Sequence, residues 1–127
     1  MIDLKPKICN LCGGDVIFTS NAIIYGKEFG SGCCYFCIKC GAYVGTHEPY
    51  PDRAYGILAN AEMREKKRVC HSMFDKMWTT KGERNLLYRR LAKQMEIPTH
   101  KCHFGYMDIP QLDEAILILK EWEAQNE

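Results

Sequence analysis

Hydrophobic and polar positions follow two different patterns along the chain, and the change of pattern divides the sequence in two. Residues 15–25 are rich in β-branched and aromatic side chains, and two shorter runs of similar character cover 33–37 and 42–47. Beyond about residue 57 the apolar positions recur at helical spacing instead. The sequence therefore predicts an α+β fold, with short antiparallel strands followed by three helices.

The three predicted helices are separated by recognisable start and stop signals. The first extends to about Trp78, the second follows the capping-box spacing of residues 80–83 and ends before Pro98, and the third opens at Pro110. A loop over 99–109 joins the last two. The residues predicted to face inward are Cys70, Met73, Phe74 and Met77, then Leu86, Leu87, Leu91 and Met95, then Leu112, Ala115, Ile116 and Leu119.

Two prolines within residues 49–51 predict an extended connector between the parts. We therefore assign residues 1–48 to an N-terminal domain and 49–56 to a proline-rich connector. Residues 57–127 form the helical region, which we expect to pack on the N-terminal domain. The hydrophobic content of 46% is that of a folded protein and argues against a disordered chain.

No segment has the character of a membrane anchor or of a secretion signal. The longest apolar runs fall well short of the roughly 18 residues of a membrane span, and residues 1–8 lack the apolar centre of a signal peptide. We therefore expect a cytoplasmic protein, with no membrane partner, in a reducing compartment.

Cysteine is the most informative residue type in this chain, which has eight. In a reducing compartment, cysteines at regular short spacing favour metal binding over disulfides. Cys9 and Cys12 form one CxxC pair, and Cys37 and Cys40 form a second. Two such pairs supply the four tetrahedral donors that a structural zinc ion requires.

The register of the second pair has a competitor, because Cys34 and Cys37 also form a CxxC. Glycine follows both Cys12 and Cys40, whereas Ile38 follows Cys37, and such a glycine tolerates the positive φ of a tight metal-binding turn. We therefore assign one structural Zn²⁺ to the four cysteines of a zinc ribbon; the alternative is four reduced thiols. The ligands are Cys9, Cys12, Cys37 and Cys40.

Six short motifs are spread over about residues 9–119. They are CNLCGG (9–14), CGAYVGTH (40–47), GILAN (56–60), RVCHSMFDKMW (68–78), YRRLA (88–92) and CHFG (102–105). Together they resemble a family of small zinc-finger-containing proteins from phages and prophages, which has no established biochemical function. The resemblance implies a zinc site and a phage-related setting in a bacterial host cell. Cys33 and Cys34 are additional to the family pattern, and no role is assigned to them.

The formal net charge of +1 conceals an uneven distribution. Residues 53–93 contain eleven basic and four acidic residues, whereas residues 108–127 contain six acidic residues and one lysine. A basic helical pair beside a zinc ribbon favours DNA or RNA binding, because each phosphate that is neutralised releases counterions. The candidate residues are Arg64, Lys66, Lys67, Arg68, Arg89, Arg90 and Lys93.

Two other function classes stay open. The basic run is equally consistent with an ordinary solvated helix face, with the acidic segment 108–127 pairing with the basic helices. The opposite charges of the two ends also suit a module that binds or inhibits a host protein. A third interpretation, a hydrolase or nuclease, rests on the four histidines and Asp75, as a general acid–base pair or as a second metal site with Cys70 or Cys102, but no catalytic fingerprint accompanies them. The histidines are His47, His71, His100 and His103. We therefore expect a nucleic-acid-binding accessory protein rather than an enzyme.

Aromatic residues in and near the ribbon have two interpretations as well. They either fill the small core or stack on unpaired bases, and core packing is the simpler account for most of them. The residues concerned are Tyr25, Tyr35, Phe36, Tyr43 and Tyr50.

Overall fold

The computed structural model describes residues 3–125, which form two compact units that meet in the sequence between Asn60 and Ala61. The first unit contains a small antiparallel sheet, and the second contains three long helices. The predicted α+β class, with strands first and helices afterwards, is confirmed.

The sheet of the first unit has three strands within the described residues. Strand β1 is Val16–Ser20, β2 is Cys33–Cys37 and β3 is Tyr43–Gly45, and β2 lies in the middle. Both pairings are antiparallel, and Tyr35 stands opposite Phe18 on one side and Val44 on the other. These strands follow the predicted runs of β-branched and aromatic residues.

The first predicted strand is shorter than the pattern indicated. It ends at Ser20, and the continuation Ala22–Tyr25 forms a short helix, α1, so the strand prediction is wrong for these residues. The buried Asn21 side chain is the physical reason, because it bonds to both backbone groups of Phe29. A local side-chain bond of this kind competes with the sheet ladder and turns the chain.

The proline-rich segment belongs to the first unit. Thr46 bridges to Ala54, Tyr43 bridges to Ala59, and the first unit continues to Asn60. Leu58 is fully buried in the core of this unit, so the segment after the sheet completes the core as well as connecting the two units.

The second unit consists of α2 (Ala61–Asp75), α3 (Lys81–Met95) and α4 (Ile109–Gln125). Helix α4 packs on both α2 and α3, and two single-turn 3₁₀ segments, Thr99–Lys101 and Phe104–Tyr106, lie in the loop before it. None of the helices among residues 3–125 has both the length and the apolar character needed to cross a membrane.

The predicted capping box at the start of α3 is confirmed. Thr80 has an extended backbone, and its hydroxyl accepts a hydrogen bond of 3.2 Å from the Glu83 backbone N–H. The Glu83 carboxylate accepts hydrogen bonds from the hydroxyls of Thr79 and Thr80 in return. The cap therefore fixes the residue at which the helix begins.

Most of the predicted inward residues are buried, with one clear exception. Phe74, Leu91 and Leu119 have 0% exposure, whereas Leu86 is 63% exposed and its prediction as a core residue is wrong. The buried residues of α3 are Tyr88, Leu91, Ala92 and Met95. Tyr88, and not Leu86, therefore lies on the buried face one turn before Leu91. Four other residues that were predicted to face inward are half-buried at the margin of the core. They are Met73, Met77, Leu87 and Ile116.

Phe104, from the loop before α4, fills the centre of the helical core. Its ring is T-shaped to Phe74 at 5.6 Å between centroids, and Phe74 also contacts Tyr88 at 4.4 Å. Helical periodicity gives no information about a loop residue, so the sequence pattern did not single out Phe104.

Candidate metal centre and basic groove

Four cysteine sulfurs converge at one end of the sheet in the first unit. The Sγ atoms of Cys9, Cys12, Cys37 and Cys40 all lie within 4.8 Å of one another. The Cys9–Cys40 distance is 3.8 Å and the Cys12–Cys37 distance is 3.5 Å. Tetrahedral zinc with Zn–S bonds of about 2.3 Å places its ligand sulfurs about 3.8 Å apart, so the four thiols fit one zinc ion.

Each CxxC pair forms a tight turn that a glycine closes. The Gly13 N–H donates to the Cys9 carbonyl at 2.9 Å, and the Gly41 N–H donates to the Cys37 carbonyl at 3.0 Å. Gly13 has φ +75° and Gly41 has φ +80°, in the left-handed region that glycine occupies without strain. The glycine after Cys40 was the reason to choose Cys37 and Cys40, rather than Cys34 and Cys37, as the second pair. The observed positive φ of Gly41 agrees with that reason.

Backbone N–H groups point at the sulfurs. Leu11 donates to Cys9 Sγ and Gly14 to Cys12 Sγ, both at 3.3 Å, and Cys40 donates to Cys37 Sγ at 3.4 Å. The Cys40 N–H is the main reason that the pKa of the Cys37 thiol is lowered to about 6. These donors stabilise thiolates, which is the form that binds zinc.

The segment before α2 supports the first zinc-binding turn from outside. The Asn10 amide donates to the Leu58 carbonyl at 3.0 Å and accepts from the Leu58 N–H at 2.9 Å. Cys9 and Cys37 are buried in the same core cluster as Leu58 and Tyr35. The ligands are therefore positioned by packing as well as by their own turns.

Gly14 has no space for a side chain beside this site. A Cβ at this position would lie 2.7 Å from the Lys39 Cβ and 3.2 Å from the sulfurs of Cys12 and Cys37. We expect Gly14→Ala to lower the zinc affinity about fivefold or more, because overpacking costs about 1–3 kcal/mol and here displaces two ligands. Competition with a chromophoric chelator measures this.

Gly45→Ala is the matched control in the same unit, because its new Cβ would meet only ordinary contacts from 3.6 Å outward. If Gly14→Ala bound zinc as tightly as the wild type does, the Cys12 and Cys37 sulfurs would not lie where the structure places them.

The other four cysteines lie outside this cluster. Cys33 and Cys34 are in β2, and Cys34 is buried. Cys70 and Cys102 are fully buried in the helical unit, where burial raises the pKa of each thiol to about 11. Among residues 3–125, the zinc cluster is the one group of three or more potential metal ligands. Cys70 and Cys102 therefore do not lie in a second such group within these residues.

The basic run on α2 is largely engaged within the protein. Lys66 forms an ion pair with Asp113 of α4, and Arg68 pairs with Glu65 at 2.6 Å. Burial lowers the pKa of Lys67, and the charge of Arg64 lowers it further. Lys66 and Arg68 therefore fit an ordinary charged helix face, paired with carboxylates of the same protein, better than a free phosphate-binding surface.

The basic residues of α3 are more exposed. Arg89, Arg90 and Lys93 lie at the surface, and the Arg90 guanidinium stacks over the Trp122 ring at 4.3 Å. Helix α3 and the loop that follows it form a groove of about 320 Å³. Its lining residues are Arg84, Asn85, Tyr88, Arg89, Thr99, His100, Cys102 and His103.

The proposed catalytic residues do not form a hydrogen-bonded acid–base pair in the structure. The His71 ring is T-shaped to Phe104 at 5.0 Å, and Asp75 accepts a hydrogen bond from the Trp78 indole. His103 packs on Tyr106 at 4.8 Å. Desolvation lowers the pKa of both histidines and so favours the neutral imidazole.

The aromatic residues of the first unit are divided between core and surface. Tyr35 is buried and its hydroxyl donates to the Asp52 carbonyl at 2.6 Å, which confirms the core interpretation for this residue. Tyr25 and Tyr50 are about half exposed, and the Arg53 guanidinium lies over the Tyr50 ring at 4.3 Å.

Comparison with protein-family models matches residues 5–122 to DUF3268, which is described as a zinc-finger-containing domain. Comparison with curated proteins and with solved structures finds no significant match. The match covers both units, including the zinc cluster and the groove beside α3. The chain therefore belongs to the DUF3268 family of zinc-finger-containing domains.

Proposed function

We propose that the protein is a nucleic-acid-binding accessory module. In this proposal, zinc holds the fold of the first unit, and the groove beside α3 binds backbone phosphates. The observation that carries the proposal is the charge of this groove. Arg84 and Arg89 both line it, and none of the described residues that line it is acidic.

The lining chemistry suits phosphate. An arginine guanidinium offers planar, paired N–H donors that match two phosphate oxygens, and it keeps its charge at every physiological pH. Asn85 and Thr99 add neutral donors to the lining. Helix α3 as a whole has five basic residues and one acidic residue, so its field attracts anions.

The choice of α3 over α2 follows from the ion pairs. Lys66 and Arg68 already have carboxylate partners, and a phosphate would have to displace these to gain the same interaction. The sequence pattern placed both helices in the candidate surface, and the proposal narrows this surface to α3 and the loop 99–103.

Phosphate contacts can be counted from salt dependence. We expect the double variant Arg84→Gln/Arg89→Gln to bind single-stranded DNA, duplex DNA or RNA more weakly. The slope of log K against log salt should become less steep by about 1.4–1.8, because each of the two lost phosphate contacts removes about 0.7–0.9 from it. Fluorescence anisotropy of zinc-loaded protein with labelled oligonucleotides, between about 50 and 200 mM salt, measures this slope.

Lys39→Gln/Lys120→Gln is the matched control, because it removes the same charge at two exposed positions outside the groove. An equal loss of slope in both double variants would mean that binding follows net charge rather than the groove. No binding of any oligonucleotide by the wild type would contradict the proposal and favour a protein partner, which a pull-down from host lysate would then seek.

The cellular setting and the absence of catalysis are parts of the same proposal. The family resemblance supports action in the cytoplasm of a bacterial host during phage or prophage development. The proposal assigns no catalytic role to His71 or His103. If the wild type cleaved the bound oligonucleotide and a folded His71→Ala or His103→Ala variant did not, the absence of a catalytic role would be contradicted.

A further inference from the structure

The first unit has an aromatic pocket beside strands β2 and β3. None of the described residues that line it is a zinc ligand. The pocket has a volume of about 450 Å³. Three of its walls are the rings of Tyr25, Phe29 and Tyr55, and each of these side chains is about half exposed. Large aromatic side chains exposed together in one concave site indicate a ligand surface.

The rings form a corner rather than a slot. The Tyr25 and Phe29 rings are 5.5 Å apart at 87° to one another. The Tyr55 ring contacts the His47 ring, with 4.4 Å between the centroids. A flat base stacks best between parallel faces, whereas perpendicular faces enclose a rounded group.

The loop that presents Phe29 is held in place by buried hydrogen bonds. The Asn21 amide, with 7% exposure, donates to the Phe29 carbonyl at 2.7 Å and accepts from the Phe29 N–H at 3.1 Å. Farther along, the Ser31 and Thr46 hydroxyls bond to each other at 2.6 Å. The pocket is therefore organised before a ligand arrives, which lowers the entropic cost of binding.

The lining of the pocket carries one acidic side chain. Glu48 is the one charged residue among the described residues that line it, and its carboxylate lies 3.7 Å from where a Cβ on Gly30 would be. Lys27, which is not part of the lining, places its ammonium 5.2 Å from the centre of the Phe29 ring. This ring therefore already attracts a cation within the protein.

We propose that this pocket binds an alkylammonium group, held by the faces of Tyr25, Phe29 and Tyr55 and neutralised by Glu48. Aromatic faces attract cations through their quadrupoles, and several faces with a carboxylate form the type of site that recognises methylated amines. The group comes either from a lysine side chain of a partner protein or from a free small molecule. The inference is independent of the nucleic-acid proposal, because it concerns the other unit.

Choline and its neutral carbon isostere, 3,3-dimethylbutan-1-ol, test this directly. Both are titrated into zinc-loaded, ¹⁵N-labelled protein, and the amide shifts of Gly30, Ser31, Gly45 and Tyr55 are followed. We expect choline to shift these signals saturably and to bind at least tenfold more tightly than the isostere. Equal binding, or no shift at these amides, would overturn the proposal.

Variants separate the pocket from general surface effects. We expect Glu48→Gln and Tyr55→Leu each to weaken choline binding about fivefold or more. Tyr50→Leu is the matched control, because Tyr50 is as exposed as Tyr55, at 54%, but does not line the pocket. A loss in Tyr50→Leu equal to that in Tyr55→Leu would overturn the assignment.

A peptide that contains one trimethyllysine distinguishes the two sources of the cation. Binding of this peptide at least tenfold tighter than choline indicates that a partner protein presents the group, and tighter binding of choline indicates a small molecule. A peptide with glutamine at that position is the control, and equal binding of both peptides would contradict the proposal.

Discussion

Removal of zinc is expected to unfold the first unit while the helices of the second unit persist. The core of the first unit is small and contains two of the ligands themselves, since Cys9 has 3% exposure and Cys37 has 0%. A unit of this size is only marginally stable by apolar burial, so we expect metal binding to supply most of its folding free energy. Without zinc, thiols crowded within 4.8 Å of one another lose the cation that holds them together.

Heteronuclear NMR of the protein with and without excess chelator measures this effect at each residue. The amides of β1, β2 and β3 should collapse to unfolded shifts, whereas those of α2, α3 and α4 should stay dispersed. The far-ultraviolet circular dichroism signal of the helices should remain. Retention of the dispersed sheet signals after complete removal of zinc would contradict a metal-dependent fold.

Single cysteine variants give the same test without a chelator. Cys37→Ser should lose zinc and the sheet, because it replaces a fully buried ligand. Cys33→Ser is the matched control, since Cys33 is a half-buried cysteine of the same strand outside the cluster. The control should bind zinc as the wild type does.

Phe74→Ala is expected to cause the largest loss of stability in the helical unit. The side chain has 0% exposure and contacts the rings of Tyr88 and Phe104, so its removal leaves a cavity where α2, α3 and the loop before α4 meet. Such substitutions cost about 3–5 kcal/mol. This loss is comparable with the roughly 3–10 kcal/mol that a unit of this size has in total.

Urea denaturation followed by helical circular dichroism measures the change. Leu86→Ala is the control on α3, and at 63% exposure it should change the free energy of unfolding by less than about 0.5 kcal/mol. A Phe74→Ala variant as stable as Leu86→Ala would mean that the core is not centred on Phe74.

The zinc site was predictable because its determinants are local. Each CxxC turn is specified within five residues, and the glycine after it reports the backbone conformation directly. The cap at Thr80 is local in the same way. At these turns and at this cap, a few neighbouring residues decide the structure, and the prediction from sequence agrees with the observed geometry.

Features that depend on distant residues were not predictable. The charge pattern allowed the acidic segment 108–127 to pair with the basic helices, but it did not identify Asp113, 47 positions away, as the partner of Lys66. The groove beside α3 requires the loop 99–103 to return to Arg84 and Arg89. Leu86 was misplaced because two adjacent leucines fit a helical stripe in either register, and packing against Phe104 selects Tyr88. The predicted packing of the helical part on the ribbon stays a prediction.

X-ray absorption spectroscopy at the zinc edge, on protein purified without added metal, shows directly which atoms bind the metal. We predict one zinc ion per chain, with four sulfur neighbours at about 2.3 Å and no nitrogen or oxygen in the first shell. Fewer than four sulfur neighbours, or a folded protein with no zinc, would contradict a structural zinc held by Cys9, Cys12, Cys37 and Cys40.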